Sequence, residues 1–185
     1  MSGGRFDVCV AKTLGHEGGF VDHKADKGGK TNLGITIATL NQAKAHGIVP
    51  FRTSIQDLTV DQAKAIYFRL YWVPARCPDF PAPLDLLLFD AQVNHRPAVA
   101  ARLIQSAVEA DRDGEIGPDT IRRAGAIASS PDRDAMAKAI ERYVDARKDF
   151  FRRIVANDPT QRVFLRGWLN RVDRIAAQAQ AEIAA

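Results

Sequence analysis

The sequence predicts a mainly α-helical fold with one small β-hairpin near residues 20–35. Three observations carry that expectation. Apolar residues recur at three- and four-residue intervals along most of the chain. Glycine, proline and hydroxyl residues fall at the ends of those runs, where helix stops and caps belong. Residues 20–35 combine turn formers with no helical period.

The elements follow in order. Phe6, Cys9, Val10, Thr13, Leu14 and Glu17 describe one face of a helix from about Arg5 to Glu17, stopped by Gly18-Gly19. After the hairpin, Thr36 is placed to cap a second helix that runs to about His46 and ends at Gly47. Thr59-Val-Asp-Gln62 is a capping-box signature, and Val60, Ala63, Ile66, Tyr67 and Leu70 continue it as an amphipathic helix ending near Trp72. Pro74, Pro78, Pro81 and Pro83 form a rigid connection. Leu84 to Asn94 is nearly all apolar and too long for an average strand, so it reads as a central buried helix. Pro97 starts another helix, the turn at residues 111–118 precedes a short helix near Thr120, and two long helices follow. The first of these is expected to begin at Ser130-Pro131, and the second carries Phe164, Leu165, Trp168, Leu169, Val172, Ile175 and Ala179.

A chain of 185 residues is long enough to bury one good core, so a single domain over residues 1–185 is expected. With 46% hydrophobic and 26% charged residues and no repeat or low-complexity tract, a disordered or fibrous chain is excluded. The net charge of +4 and pI near 9.3, with arginines concentrated after residue 96, favour a polyanionic partner: nucleic acid, anionic lipid or the bacterial cell wall. Charge alone does not choose among them, and a merely solvated basic surface has the same composition. Cys9 and Cys77 have no metal-ligand spacing and read as buried thiols. No signal peptide and no membrane-spanning stretch is legible, so synthesis in the cytoplasm without membrane insertion is expected.

Several sharper motifs fail on inspection. Gly28-Gly29-Lys30-Thr31 resembles the end of a phosphate-binding loop, but that loop needs a glycine where Lys24 stands and a helix where Asn32 and Gly34 follow. Asp111, Asp113 and Glu115 suggest calcium, but Ile116 occupies the position where an EF-hand requires glycine. His16, His23, His46 and His95 lack the spacing of a helical zinc site. No metal and no cofactor are therefore assigned.

Glu17 is different, because it sits on the apolar side of the first helix, where a carboxylate is usually avoided. Partial burial and the negative end of the helix dipole both raise a carboxyl pKa, as a general acid near neutral pH requires. An arginine partner at the rim of the core is the structural alternative, and it would lower the pKa instead. Asp26 follows after eight intervening residues and a turn, so the chain can set a second carboxylate opposite the first. Two carboxylates flanking a cleft are the equipment of glycoside hydrolysis.

These residues also carry a family likeness. His16-Glu-Gly-Gly-Phe-Val21, Asp26-Lys-Gly-Gly-Lys-Thr31 and Gly34-Ile-Thr36 resemble the signature of the glycoside hydrolase family 108 muramidases, a lysozyme-like group of phage and bacterial peptidoglycan hydrolases. Leu58-Thr, Ala65-Ile-Tyr67, Tyr71-Trp72, Phe89-Asp-Ala with Asn94, and Asp113-Gly-Glu-Ile-Gly-Pro-Asp-Thr120 are similar to later blocks of that family. The resemblance implies a lysozyme-like helical domain, with a catalytic part at about 5–95 and a helical part at about 96–180 resembling a peptidoglycan-binding segment. It implies an N-acetylmuramidase that cleaves the β-1,4 bond between N-acetylmuramic acid and N-acetylglucosamine, with Glu17 as the catalytic acid. Asp26 is the candidate base or charge stabiliser, and Thr31 the candidate water-positioning hydroxyl. The related phage lysozymes place five residues between the Asp and the Thr where this chain has four. Gly28 and Gly29 then serve a tight turn rather than a phosphate cradle.

Tyr71, Trp72, Asp90 and Asn94 are candidates to line a saccharide groove, since aromatic faces and amides suit sugar rings. Core packing is the alternative for both aromatics, and a structural network is the alternative for Asp90 and Asn94, which are four apart on one helix face. The expected partner is the peptidoglycan glycan strand, reached in the periplasm or wall after release by a holin-like pore or other machinery. A non-catalytic peptidoglycan-binding module is the first rival and predicts that Glu17 is dispensable. A basic nucleic-acid-binding protein is the second and predicts salt-sensitive binding that ignores Glu17.

Overall fold

Two helices start where a hydroxyl side chain, Thr36 or Thr59, supplies an acceptor for otherwise orphaned N–H groups. In the computed structural model, which describes residues 4–14 and 31–184, helices dominate and a single two-stranded sheet accompanies them among the described residues. The chain divides into two compact units, Met1–Pro74 and Ala75–Ala185.

The first unit contains α1 (Arg5–Leu14), β1 (Thr31–Asn32), β2 (Ile35–Thr36), α2 (Ile37–Ala45) and α3 (Val60–Tyr67), which runs on as a π-helical turn over Phe68–Trp72. Thr36 accepts a hydrogen bond from the Thr39 amide at 3.1 Å and so starts α2. Thr59 and Gln62 form the reciprocal capping box that starts α3. Thr31 pairs with Thr36 and Asn32 with Ile35 across a two-residue turn whose Leu33 and Gly34 both have positive φ, at 51° and 73°. That is the type I′ geometry that suits the strand twist, and it accounts for glycine at the second position. The first position is leucine, and the Tyr67 hydroxyl donates to the Leu33 carbonyl at 3.1 Å. A Cβ on Gly34 would lie 2.5 Å from that hydroxyl and 3.4 Å from the Leu14 side chain, so α1, the hairpin and α3 close on one point. Asn32 secures the hairpin by donating to the Ile55 carbonyl at 2.9 Å. Phe6 packs edge-on against Phe68 and Trp72, and Lys64 pairs with Asp7 at 2.7 Å, fastening α1 to α3.

The second unit is built on α4 (Leu84–Asn94), with α5 (Pro97–Val108), α6 (Pro118–Ala128), α7 (Ala135–Asn157) and α8 (Arg162–Ile183). Every residue of α4 from Leu84 to Gln92 is buried, including the polar Asp85, Asp90 and Gln92, as expected of a nearly all-apolar helix at the centre of its unit. The acidic turn after α5 is closed by Gln105, whose amide donates to the Asp113 carboxylate at 2.6 Å and the Glu115 carbonyl at 2.9 Å and accepts from Gly114 at 3.0 Å. The α7 helix starts at Ala135 rather than at Ser130-Pro131. Ser130 accepts from the Asp132 amide, and Asp132 from the Asp134 amide, so side chains take the donors that a helix would use. Cys9 and Cys77 are both buried. No helix among the described residues is long and apolar enough to cross a membrane.

One buried charge network joins three helices of this unit. Asp90 on α4 is fully buried and accepts from Arg147 of α7 at 2.6 Å and Arg171 of α8 at 2.7 Å. Arg147 also donates to the Tyr143 hydroxyl at 3.0 Å and to His95 Nε2 at 3.2 Å, and Tyr143 donates to the Leu87 carbonyl at 2.8 Å. Burial alone would raise the Asp90 carboxyl, but the two guanidiniums hold it below its ordinary 3.8. Burial pushes His95 from 6.5 down to about 4, helped by the charge on Arg147, so its imidazole is neutral and accepts. Burial pushes the Tyr143 phenol up to about 12.

Three outcomes follow from this packing. Gly34→Ala forces both a positive φ on alanine and a clash with Tyr67, and urea unfolding is expected to show a loss of more than about 1 kcal/mol. Asp90→Asn strands the buried charge of Arg147 and is expected to cost about 3–5 kcal/mol. For His95 the unfolded chain binds more protons than the folded chain between pH 6.5 and about 4. Stability is thus complete above that window and falls on acidification through it, by roughly 3 kcal/mol at 1.36 kcal/mol per pKa unit. Asp90 adds a further loss below its ordinary 3.8. A His95→Asn variant whose stability falls as steeply as wild type between pH 6.5 and 4 would contradict this assignment.

Candidate functional site

Glu17 and Asp26 lie outside the described residues, as do His16, His23 and the Gly28-Gly29-Lys30 turn. Thr31, the third candidate, opens β1 and is half-buried, paired across the hairpin with Thr36. Thr36 is the helix cap that its position implies, and its hydroxyl lies 3.1 Å from the Thr39 hydroxyl. Thr39 in turn lies 3.4 Å from the hydroxyl of Tyr71. A row of three hydroxyls therefore runs from the strand partner of Thr31 to Tyr71. Each can both donate and accept, so the row can adjust its polarity to a polyhydroxylated ligand. The Tyr71 ring is half-buried against Tyr67, with centroids 5.7 Å apart, which leaves an apolar body with a polar tip.

The other candidates fall elsewhere. Trp72 is only 4% exposed and packs against Phe6, so it belongs to the core of the first unit and presents no face to a sugar. Asp90 is likewise corrected: its carboxylate is fully buried and held by Arg147 and Arg171, which makes it the centre of an ion network rather than a saccharide contact. Asn94 is exposed at the end of α4 and donates to the Asp90 backbone carbonyl at 2.6 Å, so its bond is to the main chain and not to the Asp90 side chain. The structure links the locality of Thr31 to Tyr71 through Thr36 and Thr39, and neither Thr39 nor Tyr67 is among the sequence candidates for the site. The signal that marks Thr39 is a hydroxyl three positions after a helix cap, whereas the hydrogen bond of Tyr67 to Leu33 reaches across 34 residues and leaves no local signal. Among the described residues, no three His, Cys, Asp or Glu side chains gather into a metal-binding group.

Comparison with known proteins bears on this arrangement. Residues 10–95 match the family model described as glycosyl hydrolase 108, and residues 99–173 match one described as a predicted peptidoglycan domain. The chain is similar to the solved structure of SagA from Brucella abortus at 31% identity, covering 95% of this chain and 94% of that one with a TM-score of 0.74. No curated protein gives a significant match. The mainly helical fold, the small hairpin and the two matched segments agree with one another: the chain belongs to the glycosyl hydrolase 108 family, a glycoside hydrolase with peptidoglycan as its partner.

Proposed function

We propose that the chain is an N-acetylmuramidase that hydrolyses the β-1,4 bond between N-acetylmuramic acid and N-acetylglucosamine. The observation that carries this reading is the closure of the first unit at Gly34, where Leu14, the 31–36 hairpin and Tyr67 meet. Leu14 and Thr31 flank, in sequence, the segment that holds both Glu17 and Asp26. The family match over residues 10–95 includes both carboxylates together with Thr31.

In this reading Glu17 donates its proton to the glycosidic oxygen as the C–O bond breaks, giving an oxocarbenium-like transition state. Asp26 takes a proton from the attacking water or stabilises the developing positive charge, and Thr31 orients that water. The Thr36–Thr39–Tyr71 hydroxyls offer hydrogen bonds to the sugar, with the Tyr71 ring beside it. The products are a muramic-acid reducing end and a released N-acetylglucosamine hydroxyl. Passage to the periplasm or wall through a holin-like pore, or with other release machinery, in a phage or bacterial setting completes the proposal.

Purified wild type and Glu17→Gln, incubated with isolated peptidoglycan, separate the possibilities by mass spectrometry of the new reducing ends. Wild type is expected to generate muramic-acid ends, and Glu17→Gln to do so roughly 10²-fold more slowly or worse, the usual contribution of a general acid. Equal rates in the two proteins, or glucosamine ends from wild type, would sink the assignment. A non-catalytic binding module would bind the wall and release nothing.

A further inference from the structure

The basic excess of this chain is concentrated in one place. Residues 147–174 contain eight Lys and Arg against three Asp, a net +5 where the whole chain has +4. Part of that charge is structural, because Arg147 and Arg171 pair with Asp90, Lys148 with Asp173, and Arg152 with Asp149. Arg162, Arg166 and Arg174 are exposed and have no ion pair among the described residues.

Their spacing is regular. Arg162, Arg166, Asn170 and Arg174 recur every four residues on α8, so they form one row on the face turned away from Val172, Ile175 and Ala179. The row spans ~18 Å at 1.5 Å per residue. Val163 flanks it at 78% exposure. Phe164 stands at its margin, 53% exposed and stacked on Trp168. Gly167 lies beside the row, and a Cβ there would meet nothing within 4 Å among the described residues, so none of them requires glycine at that position.

Each of these choices opposes helix stability. Like charges four residues apart repel, and Arg162 in the first turn faces the positive end of the helix dipole, where α8 has no acidic residue. A mid-helix glycine weakens the helix further. Repulsion and dipole are both relieved by an anionic ligand, and a glycine lets such a ligand approach the backbone.

We propose that this row on α8 holds the peptidoglycan strand, with Arg162, Arg166 and Arg174 receiving carboxylates of its stem peptides and Asn170 a peptide or sugar carbonyl. Gly167 leaves room for a sugar ring beside Val163. The inference rests on peptidoglycan as the partner of this chain and is independent of which residue cleaves it.

The test uses the full chain in sedimentation with isolated sacculi, comparing Arg162→Glu/Arg166→Glu with Arg112→Glu/Arg133→Glu. Both variants change net charge equally, and all four positions are exposed. Glutamates in the first turns of α8 suit the helix dipole, so thermal unfolding at or above the wild-type midpoint is expected. The α8 variant is expected to bind sacculi roughly tenfold or more weakly, the loss of two charge-assisted hydrogen bonds, while the other binds like wild type. Equal losses in the two variants, or none in the first, would overturn the proposal. So would unchanged wild-type binding to sacculi stripped of stem peptides, or tighter binding to anionic phospholipid vesicles than to sacculi. If wild type sediments through these arginines yet releases no reducing ends, the hydrolytic reading fails and this one stands.

Discussion

A carboxylate with no exposure at all, Asp90, holds together the helical unit that makes up the second part of this chain. Through Arg147 and Arg171 it joins α4 to α7 and α8, and through Arg147 it reaches Tyr143 and His95. Replacing such a network outright with apolar side chains is often neutral, whereas removing one member leaves a charge with no partner and no water. Its value is therefore in geometry as much as in stability. Arg147 and Arg171 must sit at matching heights on two antiparallel helices to meet one carboxylate, and the Phe151–Trp168 stack, with centroids 4.9 Å apart, repeats that register one turn along.

The first unit is held by a more local constraint. Type I′ geometry at Leu33-Gly34 brings the two strands together, and the Tyr67 hydroxyl fills the space that a side chain on Gly34 would take. Leu14 completes the contact, so the end of α1 and the start of the hairpin belong to one packed body. The Thr36 cap serves two purposes at once, because the hydroxyl that starts α2 also begins the row that leads to Tyr71.

The legible and illegible parts of the molecule divide by range of interaction. Caps at Thr36 and Thr59, the stop at Gly47 and the buried run of α4 depend on residues within a few positions of one another, and all were readable. The start of α7 departs from the periodicity because Ser130 and Asp132 turn their side chains onto the backbone, a competition that periodicity does not register. Asp90 and Trp72 depart from the sequence expectation for a different reason. An aspartate in an apolar helix and an aromatic at a helix end fit a groove or a core equally well, and the deciding arginines lie 57 and 81 residues downstream of Asp90.

The account of catalysis turns on two carboxylates cooperating across one glycosidic bond. The measurement that tests it most directly is the separation of the Glu17 and Asp26 carboxyl groups in a crystal structure with a bound peptidoglycan fragment. The account predicts about 6.5–9.5 Å, with room for a water and inversion at the anomeric carbon, or about 5–5.5 Å with retention. A separation far beyond that range, or Asp26 turned away from the sugar, would contradict it.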